Sequence, residues 1–151
     1  MIARPRGPLA GIVALVVSAL IVGLGPTASA STQLRQTVFA ATNNSRSTHN
    51  RAALTINLRL SKLALRHTRA MVDRDELFHV VNPPAYYLSG VSWHVWGENV
   101  GYTSGTVHSL EKAFMHSADH RANILNGTFT HVAVGAIRSG GFIWVTVFFY
   151  G

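Results

Sequence analysis

The chain has 151 residues, 13 basic against 6 acidic side chains, and no cysteine. That length is one domain's worth, and the missing thiols exclude a disulfide framework. The positive balance favours anionic envelope polymers or lipid headgroups as partners. Nucleic acid is not expected, because the basic residues are spread out and do not form a run interleaved with aromatics.

At the N-terminus Arg4 and Arg6 precede an apolar run from Leu9 to Leu24, followed by Pro26 and the small-residue site Ala28-Ser29-Ala30. This order predicts a secretory signal peptide over residues 1–30, cleaved after Ala30, with Ser31 as the first mature residue. The run of about sixteen residues falls just under the roughly 17–25 of a membrane span, so no stable transmembrane segment is expected after cleavage. Without Arg4 and Arg6 the mature domain, 31–151, carries 11 basic and 6 acidic residues, a net of +5. It is long enough to bury roughly two-thirds of its unfolded surface. An exported chain without cysteine must stand on packing alone, which points to a secreted bacterial protein.

Leu34, Val38 and Ala41 recur at helical spacing and predict a first helix from Thr32 to about Asn43, closed by the polar Asn43-Asn44-Ser45. Leu60, Leu63, Ala64, His67 and Met71 predict a second over about Asn57–Asp73. From Asp75 to Thr106, Pro83-Pro84 and four glycines interrupt the periodicity, so this stretch reads as loop with short irregular elements. A loop that long in a compact domain usually serves a site. Thr106 is a candidate N-cap for a third helix reaching about His116, and a short turn of helix covers Asp119–Leu125 up to Asn126-Gly127. Val132, Val134 and Ala136 alternate, Ser139-Gly140-Gly141 turns the chain, and Phe142 to Tyr150 is β-branched and aromatic, which makes a β-hairpin. With one extra strand near Val95–Val100, these elements predict an α+β sandwich with helices on the sheet faces.

Among so few acids, Glu98 stands out between Gly97 and Asn99, where small neighbours allow close backbone approach and Trp96 and Tyr102 supply apolar walls. A carboxylate so placed needs a partner, and a nearby carboxylate fixes an imidazole's tautomer. His79 and His120, 19 and 22 residues away, both fall near element ends. Two imidazoles can ligate a divalent ion such as zinc, with Glu98 as ligand or as outer acceptor. They can equally form a buried hydrogen-bonded network, and the spacing is unlike a short H-E-x-x-H run. Ser117, three residues before His120, fits capping better than nucleophilic catalysis, since nothing here resembles G-x-S-x-G. Arg121 and Asn123 are placed to satisfy carbonyls at a turn or to cap a helix.

Taken in order, these pieces resemble the CAP superfamily, also called the SCP or sperm-coating-protein domain, in its cysteine-free bacterial form. The resemblance runs through Asn43-Asn44-Ser45-Arg46 and Leu54, then Leu60, Ala64 and Met71, and then His79. It continues through Trp96-Gly97-Glu98-Asn99-Val100, Phe114-Met115-His116-Ser117, His120-Arg121-Ala122-Asn123-Ile124-Leu125, Val134-Gly135 and Trp144-Val145-Thr146. It implies a three-layer α-β-α sandwich, with helices flanking a small antiparallel sheet, over residues 31–151. It also implies a cleft lined by two histidines and two acids, which in some members holds a divalent metal. His79 and His120 match the histidines and Glu98 the first acid, with Glu98 and His120 facing each other across the cleft. Ser117 stands where many members have the second acid, so the set is incomplete; Glu111, on the same helix, should point elsewhere.

The function expected from this reading is a secreted, non-enzymatic module that needs no cofactor and binds a lipid or cell-envelope component. Its cleft is formed by His79, Glu98, His120, Ser117 and Asn99, with the Pro83-Pro84-Ala85-Tyr86-Tyr87 segment offering aromatic contact area. The competing expectation is a hydrolase with Glu98 as general base and the two histidines as metal ligands or acid. If Glu98 stabilises the charged form of either histidine, that imidazole's folded pKa lies above about 6.5.

Overall fold

The computed structural model describes residues 28–151, so the predicted signal peptide lies, apart from its last three residues, outside the described part. The element order is α1 (Ala28–Thr48), β1 (Thr55–Ile56), α2 (Leu58–Arg74), α3 (Pro83–Tyr87), β2 (Trp96–Thr103), α4 (Val107–His116), α5 (Ala118–Leu125), β3 (His131–Ser139) and β4 (Phe142–Tyr150).

The strands form one sheet in the order β1-β3-β4-β2. The two long pairings, β3 with β4 and β2 with β4, are antiparallel, while the two-residue β1 lies parallel to β3, a pairing with no period for the sequence to show. Successive side chains on a strand point to opposite faces. Val132, Val134, Val145, Val147 and Phe149 therefore pack under Val38 of α1, Leu110 and Phe114 of α4 and Ile124 of α5. Ala133, Phe148 and Tyr150 pack under Leu60 and Ala64 of α2 and Tyr87 of α3. Helices on both faces of the sheet make the three-layer α-β-α sandwich.

Local chemistry sets the element ends. The Asn57 side chain accepts from Leu60 N–H to start α2, and Thr106 and Ser109 form a reciprocal capping box at the start of α4. α1 does not stop at the polar Asn43-Asn44-Ser45. It runs on to Thr48 because Arg46 is wholly buried and tied to backbone carbonyls: its Nε donates to Ala52 O at 2.7 Å and its Nη1 to Ile124 O and Asn126 O at 2.7 and 2.9 Å. Tertiary bonds of a charged group outweigh weak local helix propensity. α2 lies directly on β3, since a Cβ at Gly135 would stand 2.3 Å from the Ala64 backbone.

Candidate functional site

The long irregular stretch resolves into α3 and the edge strand β2, and it carries the site. Among the described residues β2 pairs with β4 alone, so its other edge carries no strand. Glu98 and Asn99 are consecutive on it and therefore point to opposite faces of the sheet.

Glu98 faces the α2–α3 layer and is buried to 6% exposure. Its Oε1 accepts from His79 Nδ1 at 2.9 Å and from Val80 N–H at 3.1 Å, and its Oε2 from the Tyr87 hydroxyl at 3.0 Å. A carboxylate only accepts, so His79 donates its Nδ1–H to Glu98 and leaves Nε2 outside that bond. The His79 side chain is 59% exposed against 2% for that of Glu98. Tyr87 is fully buried, stacked on Phe148 with ring centroids 4.1 Å apart. Burial, then the Glu98 charge, pushes its phenol far above the usual range, so it stays a donor. This corrects one expectation: Tyr87 offers no contact surface, and it belongs to the site. Its five-residue helix is too short for periodicity to show which way the ring turns.

Asn99 faces the other layer, wholly buried. Its Nδ2 donates to the His120 carbonyl at 3.0 Å while its Oδ1 accepts from Asn123 Nδ2 at 2.8 Å. α5 is thereby fastened to β2, and Gly97 permits the approach, since a Cβ there would meet Asn123 Oδ1 at 2.5 Å. Asn123 thus clamps strand to helix. The His120 ring lies against Phe114 at 4.8 Å. Ser117 sits at the junction of α4 and α5, its N–H bonded to Ala113 O and Phe114 O, and its side chain makes no cap bond.

Among the described residues Glu98 makes no hydrogen bond to His120; its imidazole partner is His79. The two histidines come from opposite layers. They are close enough to feel each other, and His120 is pushed below the ordinary imidazole value by burial and then by His79, against a smaller upward pull from Asp119. The upward displacement expected from a Glu98 partnership therefore does not hold for His120. A third imidazole, missed as a site residue because it lies on the apolar stripe of α2, is His67: buried, its Nε2 is 2.8 Å from Phe78 O. The strand of loop bearing His79 is thus pinned at Phe78, His79 and Val80. Glu111 does turn away from this region, toward Thr42 of α1.

A cavity of about 1050 Å³ lies elsewhere, between the start of α1, Leu65 and Arg69 of α2, the start of α4 and the β3–β4 end of the sheet. None of His79, Glu98, Asn99, Ser117 or His120 lines it.

Residues 39–148 match the CAP family, described as the cysteine-rich secretory protein family. The protein YkwD of Bacillus subtilis is 35% identical over 118 residues, which are 74% of this chain and 45% of that one. An extracellular protein of Bacillus anthracis containing an SCP domain superposes with a TM-score of 0.68 at 27% identity, over 80% of this chain and 41% of the other. At 13% identity an outer surface protein of Borrelia burgdorferi shares the fold, with a TM-score of 0.69 over 80% of this chain and 93% of its own. The chain belongs to the CAP family, a family of secreted proteins, in a form without cysteine. It spans under half the length of its Bacillus relatives. Among the described residues no helix is long and apolar enough to cross a membrane.

Proposed function

We propose that the protein is an exported, non-enzymatic module that binds a lipid or another cell-envelope component in the cleft at the outer edge of β2. The observation that carries this reading is the state of Glu98. Three donors already occupy its two oxygens, so the carboxylate is a fixed anchor for His79 and is poorly placed to take a proton from a reactant. What remains for a ligand is the outer Nε2 of His79 and the neutral imidazole of His120. Around them the segments bearing His79 and Glu98 expose Leu77 (41%), Val81 (101%), Trp93 (37%) and Trp96 (40%). Apolar side chains beside a few fixed polar groups are the composition of a binding site for an amphiphile.

Zinc fits this donor set poorly. Among the described residues no group of three His, Cys, Asp or Glu side chains is disposed to hold a metal, whereas a zinc site takes at least three protein ligands. The mature protein, incubated with a total lipid extract and repurified, should retain lipid detectable by mass spectrometry, and His79→Ala with Val81→Asp should release it; protein that emerges clean would remove the reading. Elemental analysis after dialysis should find zinc well below one per chain.

One observation favours a hydrolase instead: His120, held neutral by burial, is available as a base. Comparing the protein with Glu98→Gln and His120→Gln on peptide, ester and peptidoglycan panels decides it, since turnover lost in either variant would displace the binding reading.

A further inference from the structure

The outer face of α2 carries a feature that the cleft does not use. Arg59, Lys62, Arg66 and Arg69 are all exposed, at intervals of three, four and three residues. At 100° and 1.5 Å per residue they fall within a sector of about 80° and form a single file about 15 Å long. Arg138, exposed at the end of β3, lines the same cavity as Arg69 and adds a fifth cation to this side of the molecule. The only ion pair among the described residues is His79 with Glu98, so none of these cations is neutralised by a carboxylate.

This arrangement works against the helix that bears it. Like charges three and four apart repel, and the first turn of α2 holds no acid and does hold Arg59, where the helix dipole disfavours a cation. We propose that the file is a docking row for a linear phosphodiester polymer. Guanidinium groups dominate it, and these bind phosphate oxygens in pairs. A chain polymer matches its shape: the file is one helix wide, and of the exposed large hydrophobics that would anchor a flat bilayer contact only Leu58, at its N-terminal end, lies on α2, while Leu77, Val81, Trp93 and Trp96 belong to other segments. No aromatic residue lies within α2 to stack a base, so the recognised element is the phosphate backbone alone.

The test is binding of the mature protein to synthetic poly(glycerol phosphate) across a salt series. Affinity should fall with salt at a log–log slope of about −3, as four or five neutralised phosphates imply. Lys62→Glu with Arg66→Glu should weaken binding by roughly tenfold or more without lowering the melting temperature. The same charge change at Arg51 and Lys112 should leave affinity within about twofold. His79→Ala should bind the polymer as the parent does, which separates this row from the cleft. Equal losses in both double variants would reduce the effect to net charge and overturn the proposal. So would absent polymer binding, binding only to phosphatidylglycerol vesicles, or preference for single-stranded DNA at equal charge.

Discussion

A carboxylate at 6% exposure must replace its hydration with donors from the protein, and Glu98 does so with an imidazole, a backbone amide and a phenol. The phenol is the least replaceable of the three, because Tyr87 is both wedged against Phe148 and bonded to Oε2. Tyr87→Phe preserves the ring stack and deletes one donor to a charged group. It should destabilise the domain by about 1.5–3 kcal/mol in urea unfolding, and an unchanged midpoint would mean that water serves Oε2 equally well. At this scale the sequence discloses the charged and polar members of the site, since Glu98, His79 and Asn99 stand out against a sparse background. It hides Tyr87 and His67, whose roles depend on what lies across the interface, and it leaves open which of the two imidazoles bonds to Glu98, which the structure gives as His79. Adjacent strand residues face opposite layers, so Glu98 and the α5 histidine are divided by the sheet edge.

Between elements, the seam of α1 and α4 buries a second acid. Glu111 is 7% exposed; its Oε2 accepts from Thr42 at 3.3 Å, while its Oε1 has no partner among the described residues. Burial pushes its pKa up, against opposing contributions from Ser45, Thr42 and His108. A carboxyl raised in the folded state contributes stability below its unfolded value, about 4.3, and loses it as pH rises through the folded one. His67 and His120, both pushed down chiefly by burial, act oppositely: their contribution is present above about 6.5 and fades as pH falls through their folded values. The histidines are common to parent and variant and cancel in a difference. Glu111→Gln should therefore match the parent near pH 4 and exceed it by about 1–2 kcal/mol at pH 8, read from urea midpoints; a difference flat across that range would show that the acid titrates alike in the folded and the unfolded chain. The elements themselves are legible where a period repeats over several turns or several strand residues, as in α2, α4 and the β3–β4 hairpin. The end of α1 and the two-residue β1 are not, because long-range bonds and a single pairing with β3 decide them.

For the molecule as a whole, one side chain ties α1 and α5 to the loops that enter the sheet. Arg46 leaves α1 and donates to the carbonyl of Ala52 ahead of β1, to Ile124 and Asn126 at the end of α5, and, at 3.3 Å, to Phe129 ahead of β3. Its guanidinium is wholly buried with carbonyl oxygens as its partners, and burial, then the charge of Arg51, pushes its pKa down from the usual arginine value. The fork geometry matters more than the charge, since an ammonium has three donors on one atom and cannot span carbonyls from separate segments. Arg46→Lys should thus fail as a conservative change, with loss of 3 kcal/mol or more as buried carbonyls go unpaired around a buried cation. Because the severed ties hold α5, and α5 holds His120 and Asn123 against β2, hydrogen exchange should accelerate over residues 118–130 before it does in α2. Uniform acceleration across all layers would instead mean that the guanidinium contributes only to global stability and does not specifically hold α5 against β2.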